Sequence, residues 1–107
     1  MAAVLEKVRQ LEQYIQVSSG QADWMLETTL DKLLDRERQK LRQQLTRLKS
    51  QATDFETRYG WTSDEFAPRF EHGELGDEMD LIEWSATLKM IANLQRTIAT
   101  LDAGAAR

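Results

Sequence analysis

The chain has 107 residues, the length of one domain, which leaves no room for a catalytic domain beside a regulatory one. Fourteen Lys and Arg stand against eighteen Asp and Glu, so a net charge of −4 makes the whole molecule a poor match for phosphate backbones. The absence of cysteine excludes disulfides, thiolate metal sites and cysteine nucleophiles, and a single histidine, His72, excludes two-histidine metal sites within one chain.

With one Pro, five Gly and 41% apolar residues, the composition favours long helices over disorder or a turn-rich β fold. No apolar run approaches the ~18 residues of a membrane span. Glu6, Lys7 and Arg9 sit where a signal peptide has its apolar stretch, which predicts a cytoplasmic chain without a membrane partner.

Val4, Val8, Leu11 and Ile15 are spaced four, three and four apart and predict an amphipathic helix over about 3–17, ending at Val17-Ser18-Ser19-Gly20. From Asp23, a good N-cap, to Tyr59 there is neither Pro nor Gly, and strong helix formers predominate, predicting one helix over 23–59. A helix of roughly 36 residues extends ~54 Å, against a radius of gyration near ~13 Å for a compact domain, so the rod calls for a partner. Its apolar stripe has two phases. Leu26, Leu30 and Leu33 form one, and Leu34, Leu41, Leu45, Leu48, Ala52, Phe55 and Tyr59 form a heptad-like second, shifted by one residue. The six consecutive polar residues Asp35 to Lys40 mark where the rod is solvated all round or changes its packing partner.

Gly60 is a helix stop, and Thr62 with Glu65 three residues on is a capping-box pattern predicting a short helix over 63–71. Pro68 predicts a kinked pair of turns there, with Phe66 and Phe70 inward. After the loop Glu71 to Gly76, Asp77 is the expected N-cap of a last helix over 77–102. Leu81, Trp84, Leu88, Ile91, Leu94, Ile98 and Leu101 form the stripe of that helix, which can lie antiparallel along the second half of the rod.

Catalytic chemistry finds little footing. Asp77, Asp80 and Glu83 recur every third residue, yet they match no calcium loop and lack the Glu-x-x-His of a diiron helix, so dipole capping explains them better and no metal or cofactor is expected. His72 has no nucleophile at motif spacing and reads as an exposed loop residue. Trp24, Trp61, Trp84, Phe66 and Phe70 adjoin the apolar stripes and read first as core, with exposed interface anchors as the alternative.

Charge is uneven. Arg36, Arg38, Lys40, Arg42, Arg47 and Lys49 form a basic stretch containing one acid, whereas Asp64 to Glu83 holds eight acids and one base. Solvated helix faces with intramolecular pairing of the two complementary stretches are the plain reading, and docking of the acidic patch on a basic partner is the sharper one. The basic stretch could also contact phosphates, but it overlaps the heptads and is sparser than a bZIP basic region.

Residues 59–84, running Tyr59-Gly60-Trp61-Thr62-Ser63-Asp64-Glu65-Phe66, then Phe70-Glu71-His72-Gly73-Glu74-Leu75-Gly76-Asp77-Glu78-Met79-Asp80, then Glu83-Trp84, resemble a group of short prokaryotic proteins of unassigned biochemistry. The pattern of that group is Tyr-Gly-x-x-Ser-x-Glu-Phe, Phe-x-x-Gly-Glu-Leu-Gly-Asp-Asp-x-Asp, Glu-Trp. The resemblance spans roughly 23–101 and departs at Glu78, which replaces an aspartate, and at Pro68. It implies a small helical protein of two-gene toxin–antitoxin-like pairs, and it carries over the Gly73 to Asp77 turn and Glu83-Trp84 as a structural signature with possible partner contacts.

Together these readings predict an all-α single domain, a long helical hairpin or coiled-coil-like bundle with an N-terminal helix and a short capped helical loop, paired as a homodimer. The expected dimer seam is Leu34, Leu41, Leu45, Leu48 and Phe55, and the expected partner-binding residues are Glu74, Leu75, Asp77, Asp80, Glu83 and Trp84. The functional expectation is a noncatalytic protein-binding module, an antitoxin-like partner that masks a cognate protein encoded nearby. The alternatives are a structural self-associating coiled coil and a nucleic-acid-binding regulator acting through 36–49.

Overall fold

The structure is a computed structural model that describes residues 2–18 and 24–105, with side chains up to residue 103. It is all-α: α1 (Ala2–Val17), α2 (Trp24–Tyr59), α3 (Ser63–Glu71) and α4 (Met79–Ala105), with no strand among the described residues. The expected cap at Asp23 and turn at Ser19-Gly20 lie outside the described residues. Where one domain is expected, the chain divides into two compact units, Met1–Asp35 and Arg36–Arg107. The division falls in the polar run Asp35 to Lys40, where the apolar stripe of α2 has changed phase, so α2 contributes to both units.

In the second unit, the remainder of α2 and α4 form an antiparallel hairpin. Arg38 pairs with Asp102 at 3.3 Å, Phe55 stacks on Trp84 at 5.7 Å between ring centroids, and Arg58 pairs with Asp80 at 2.9 Å, so residue numbers rise on one helix as they fall on the other. This register sets Leu41 level with Ile98, Leu45 with Leu94, Leu48 with Ile91 and Ala52 with Leu88, which are the heptad layers of the two stripes. Ala52 and Phe55 are buried, while the layers farther from the connection are half-buried. The ion pairs are exposed and contribute at most ~1 kcal/mol each, so they select register more than they supply stability.

Local signals shape the connection. Gly60 takes φ 73° and its N–H donates to the Glu56 carbonyl at 2.8 Å, the single-bond left-handed stop of α2. The Thr62 hydroxyl accepts from the Glu65 N–H at 3.1 Å, as the capping pattern predicts, and a further free donor of the α3 N-terminus, Ser63 N–H, is taken by the Glu56 carboxylate at 2.7 Å. Pro68 lies inside an unbroken α3 and does not split it into two turns. The reason is energetic: the helix forgoes one backbone bond at Pro68, and Phe66, fully buried, anchors the turn before it. At the other end Gly73 (φ 72°) donates to the Phe70 carbonyl and Glu74 to the Arg69 carbonyl, both at 3.0 Å, a complete Schellman motif.

The start of α4 differs from expectation. The Glu78 carbonyl, not that of Asp77, accepts the first helical bonds, from Leu81 at 3.0 Å and Ile82 at 3.1 Å. Leu75 is held against the core and Gly76 follows in the left-handed region (φ 83°), so two more residues are needed before the chain can turn into helix. The helix also runs to Ala105, past the expected end at 102, because Asp102 is tied to Arg38 and Arg42.

The core is aromatic. Trp84 is fully buried, lying 3.9 Å from Phe66 in near-parallel stacking (3°), with Phe55, Tyr59 and Trp61 at 5.7, 5.9 and 6.4 Å. Its indole N–H donates to the Ser63 hydroxyl at 3.1 Å. Truncating a buried Trp costs ~3–5 kcal/mol, and a small domain holds ~5–15 kcal/mol in total. Trp84→Ala is therefore expected to remove most of the stability of residues 36–107, read as a fall in the urea midpoint or outright loss of near-ultraviolet dichroism. Trp84→Phe is expected to retain the fold at lower stability, and an unchanged midpoint in both variants would refute this account of the core.

Candidate protein-interaction site

The residues expected to bind a partner divide between core and surface. Trp84 is fully buried and Leu75 packs against the same cluster, so neither presents an exposed anchor. Asp80 is committed to α2, accepting from Arg58 at 2.9 Å and from the Tyr59 hydroxyl at 3.1 Å, and so ties two helices together besides sitting in the first turn of α4. Glu74 pairs with Arg69 at 3.9 Å, whereas Asp77 and Glu83 are exposed. Burial of the phenol, then the hydrogen bond and negative charge of Asp80, raise the Tyr59 pKa above its ordinary 10.0.

The two charged stretches do not pair with each other as expected. In the antiparallel hairpin the basic stretch lies opposite the far end of α4, so Arg38 and Arg42 converge on Asp102 (3.3 and 3.6 Å), and Lys40 pairs within its own helix with Glu37 at 3.4 Å. Of the acids of 64–83, Asp80, Glu74 and Glu71 find Arg58, Arg69 and Lys89 instead. No group of three or more His, Asp or Glu able to hold a metal ion occurs among the described residues, and no helix there is long and apolar enough to cross a membrane.

The expected seam residues Leu41, Leu45 and Leu48 are half-buried along the hairpin of their own chain, Phe55 is buried against Trp84, and Leu34, in the other unit, is 40% exposed. Beside the seam runs an open groove of about 450 Å³ floored by Leu48, Met90 and Leu94 and rimmed by the polar side chains of Gln44, Arg47, Gln51 and Asn93.

The other unit is built differently. No residue of α1 is buried, and of the twelve large apolar residues that stand exposed among the described residues, nine lie between Val4 and Leu34. Val4 is 63% exposed, Val8 54%, Trp24 72% and Met25 61%. Trp24, read from the sequence first as core, is thus a surface residue, because among the described residues of its unit none is buried for it to join. Leu11, Ile15, Leu26 and Leu30 are half-buried, and a shallow apolar groove of about 270 Å³ lies between Val8, Leu11, Ile15 and Leu30. The stripe itself is plain in the sequence. Its lack of cover is visible only once α4 is seen to be spent on residues 36–59.

Compared with protein-family models, with curated proteins and with solved structures, the chain finds no match in any of the three.

The Tyr59 environment carries a pH signature. A phenol whose folded pKa is raised favours the protonated form in the fold, so its stabilisation is complete below pH ~10 and is lost as pH rises through the folded value. In a spectrophotometric titration of tyrosinate, an ionisation above the ordinary 10.0 is expected, and Tyr59→Phe is expected to remove that late step. A Tyr59→Phe variant that removes no ionisation above the ordinary value would contradict the geometry.

Proposed function

We propose that this chain is a noncatalytic, antitoxin-like protein-binding module in which residues 36–107 are a scaffold with its own core and residues 2–35 carry the binding face. The observation behind this reading is the concentration of exposed apolar side chains between Val4 and Leu34, in a unit that buries none of α1. Chains below ~40 residues rarely support a core alone, and a contiguous uncovered apolar face on a soluble protein is a surface waiting for another polypeptide. The helix-in-groove mode suits it, since the anchors Val4, Val8, Leu11 and Ile15 recur at helical spacing.

The resemblance of residues 59–84 to proteins of toxin–antitoxin-like pairs supports masking of a cognate protein as the form that binding takes. The nucleic-acid reading is less favoured, because Arg38, Arg42 and Lys40 are already engaged by acids of the same chain.

Co-expression with the product of the adjacent gene is expected to yield a stoichiometric complex in which the amides of α1 are protected from hydrogen exchange. If α1 exchanges freely in the purified chain and in the mixture, at micromolar concentrations of both, the binding-module reading falls.

A further inference from the structure

We infer that, in the chain without its cognate protein, the N-terminal face is covered by a second copy of this chain, seated with its α1 parallel to the first. The inference rests on residues 2–35 being a binding element and names its occupant.

The argument begins with the register of α1. Val4 and Leu11 take the d positions of a heptad, and Val8 and Ile15 the a positions. β-Branched residues at a with Leu at d are the combination that favours two parallel strands, because in that geometry the a side chains pack alongside one another and the d side chains point across the seam; Val8, Leu11 and Ile15 meet it, and Val4 at the terminal d position departs from it. Within its own chain the stripe receives only partial cover, with Val4 and Val8 more than half exposed and Leu11 and Ile15 half-buried beside Leu30.

The rim of the stripe is self-complementary. Lys7 occupies g and Glu12 the e position of the next heptad, the two places that meet across a parallel seam. In a two-fold pair, Lys7 of each chain faces Glu12 of the other, giving two opposite-charge contacts and no like-charge one from these residues. An antiparallel pair would set e against e and g against g, and would lose that match. Two heptads alone are short for a coiled coil, but Leu26, Leu30 and Leu33 extend the apolar surface that each chain brings, so that two N-terminal hairpins together reach the size of a small bundle.

The test uses the full chain. Sedimentation equilibrium is expected to give a dimer that Val8→Asp converts to monomer, with the near-ultraviolet dichroism of the Trp84 cluster unchanged. Lys7→Glu and Glu12→Lys are each expected to weaken self-association roughly tenfold, since each sets like charges at both rims. Mixing the two single variants restores opposite charges at both rims and is expected to produce a heterodimer in preference to either homodimer. A wild-type chain that stays monomeric at about 100 μM overturns the inference. If that monomer binds the adjacent gene's product through Val4 and Val8, the binding-module reading stands without it, and if it binds nothing both fall. A dimer indifferent to the two charge reversals and to Val8→Asp also overturns the inference, because it is held elsewhere.

Discussion

The indole of Trp84 is the constraint on which residues 36–107 depend. It is touched by every other element of that unit: Phe55 and Tyr59 come from α2, Trp61 and Ser63 from the connection and the first turn of α3, and Phe66 from the buried face of α3. Stacked aromatic pairs add ~0.5–1.5 kcal/mol each beyond the area they bury, and here four rings share one partner. The N–H matters as much as the ring. A fully buried donor without an acceptor would cost ~1–3 kcal/mol, and the Ser63 hydroxyl supplies the acceptor.

Ser63 holds that position because two local devices place it. The left-handed stop at Gly60 reverses the chain after α2, and the Thr62 cap starts α3 immediately, so Ser63 is the first helical residue, with its N–H fixed by Glu56 and its side chain beneath the indole. Packing then decays with distance from this closed end. Ala52 and Phe55 are buried, Leu48, Leu45 and Leu41 half-buried, and the convergence of Arg38 and Arg42 on Asp102 keeps the two helices in register where apolar cover is thinnest. An exposed charge cluster is a weak source of stability but an adequate guard against slippage, because a one-residue shift would separate the charges and misalign every heptad layer together.

The parts of this fold legible in the sequence are those written in local chemistry. Helical periodicity, the stop at Gly60 and the cap at Thr62 with Glu65 depend on neighbours within one turn, and all stand as read. The misreadings arise where a distant residue decides. Asp80 stands in the first turn of α4 as read, but its ties to Arg58 and Tyr59 of α2 are not written locally, and the basic stretch looks complementary to 64–83 until the antiparallel register brings Asp102 to it instead. Pro68 looks like a break because propensity is summed locally, whereas the burial of Phe66 outweighs one missing backbone bond. The candidate site was half legible: the α1 stripe is evident, but Trp24 and Trp84 are both aromatic residues beside apolar stripes, and only the fold shows one exposed and the other at the centre of the core.

The same comparison explains why exposed apolar side chains concentrate in the N-terminal unit. A hydrophobic stripe is satisfied by whichever complementary stripe the topology delivers, and α4, leaving the connection antiparallel to α2, delivers its seven apolar positions to residues 41–59. The polar run from Asp35 to Lys40 ends that pairing, and in the N-terminal unit Leu30 lines an apolar groove with Val8, Leu11 and Ile15 of α1. Two short amphipathic helices can shield one flank of each other but cannot enclose a core, and Val4, Val8 and Trp24 remain in water as a consequence. A scaffold closed around Trp84 and an open apolar hairpin are thus two outcomes of one sequence pattern, separated by six polar residues.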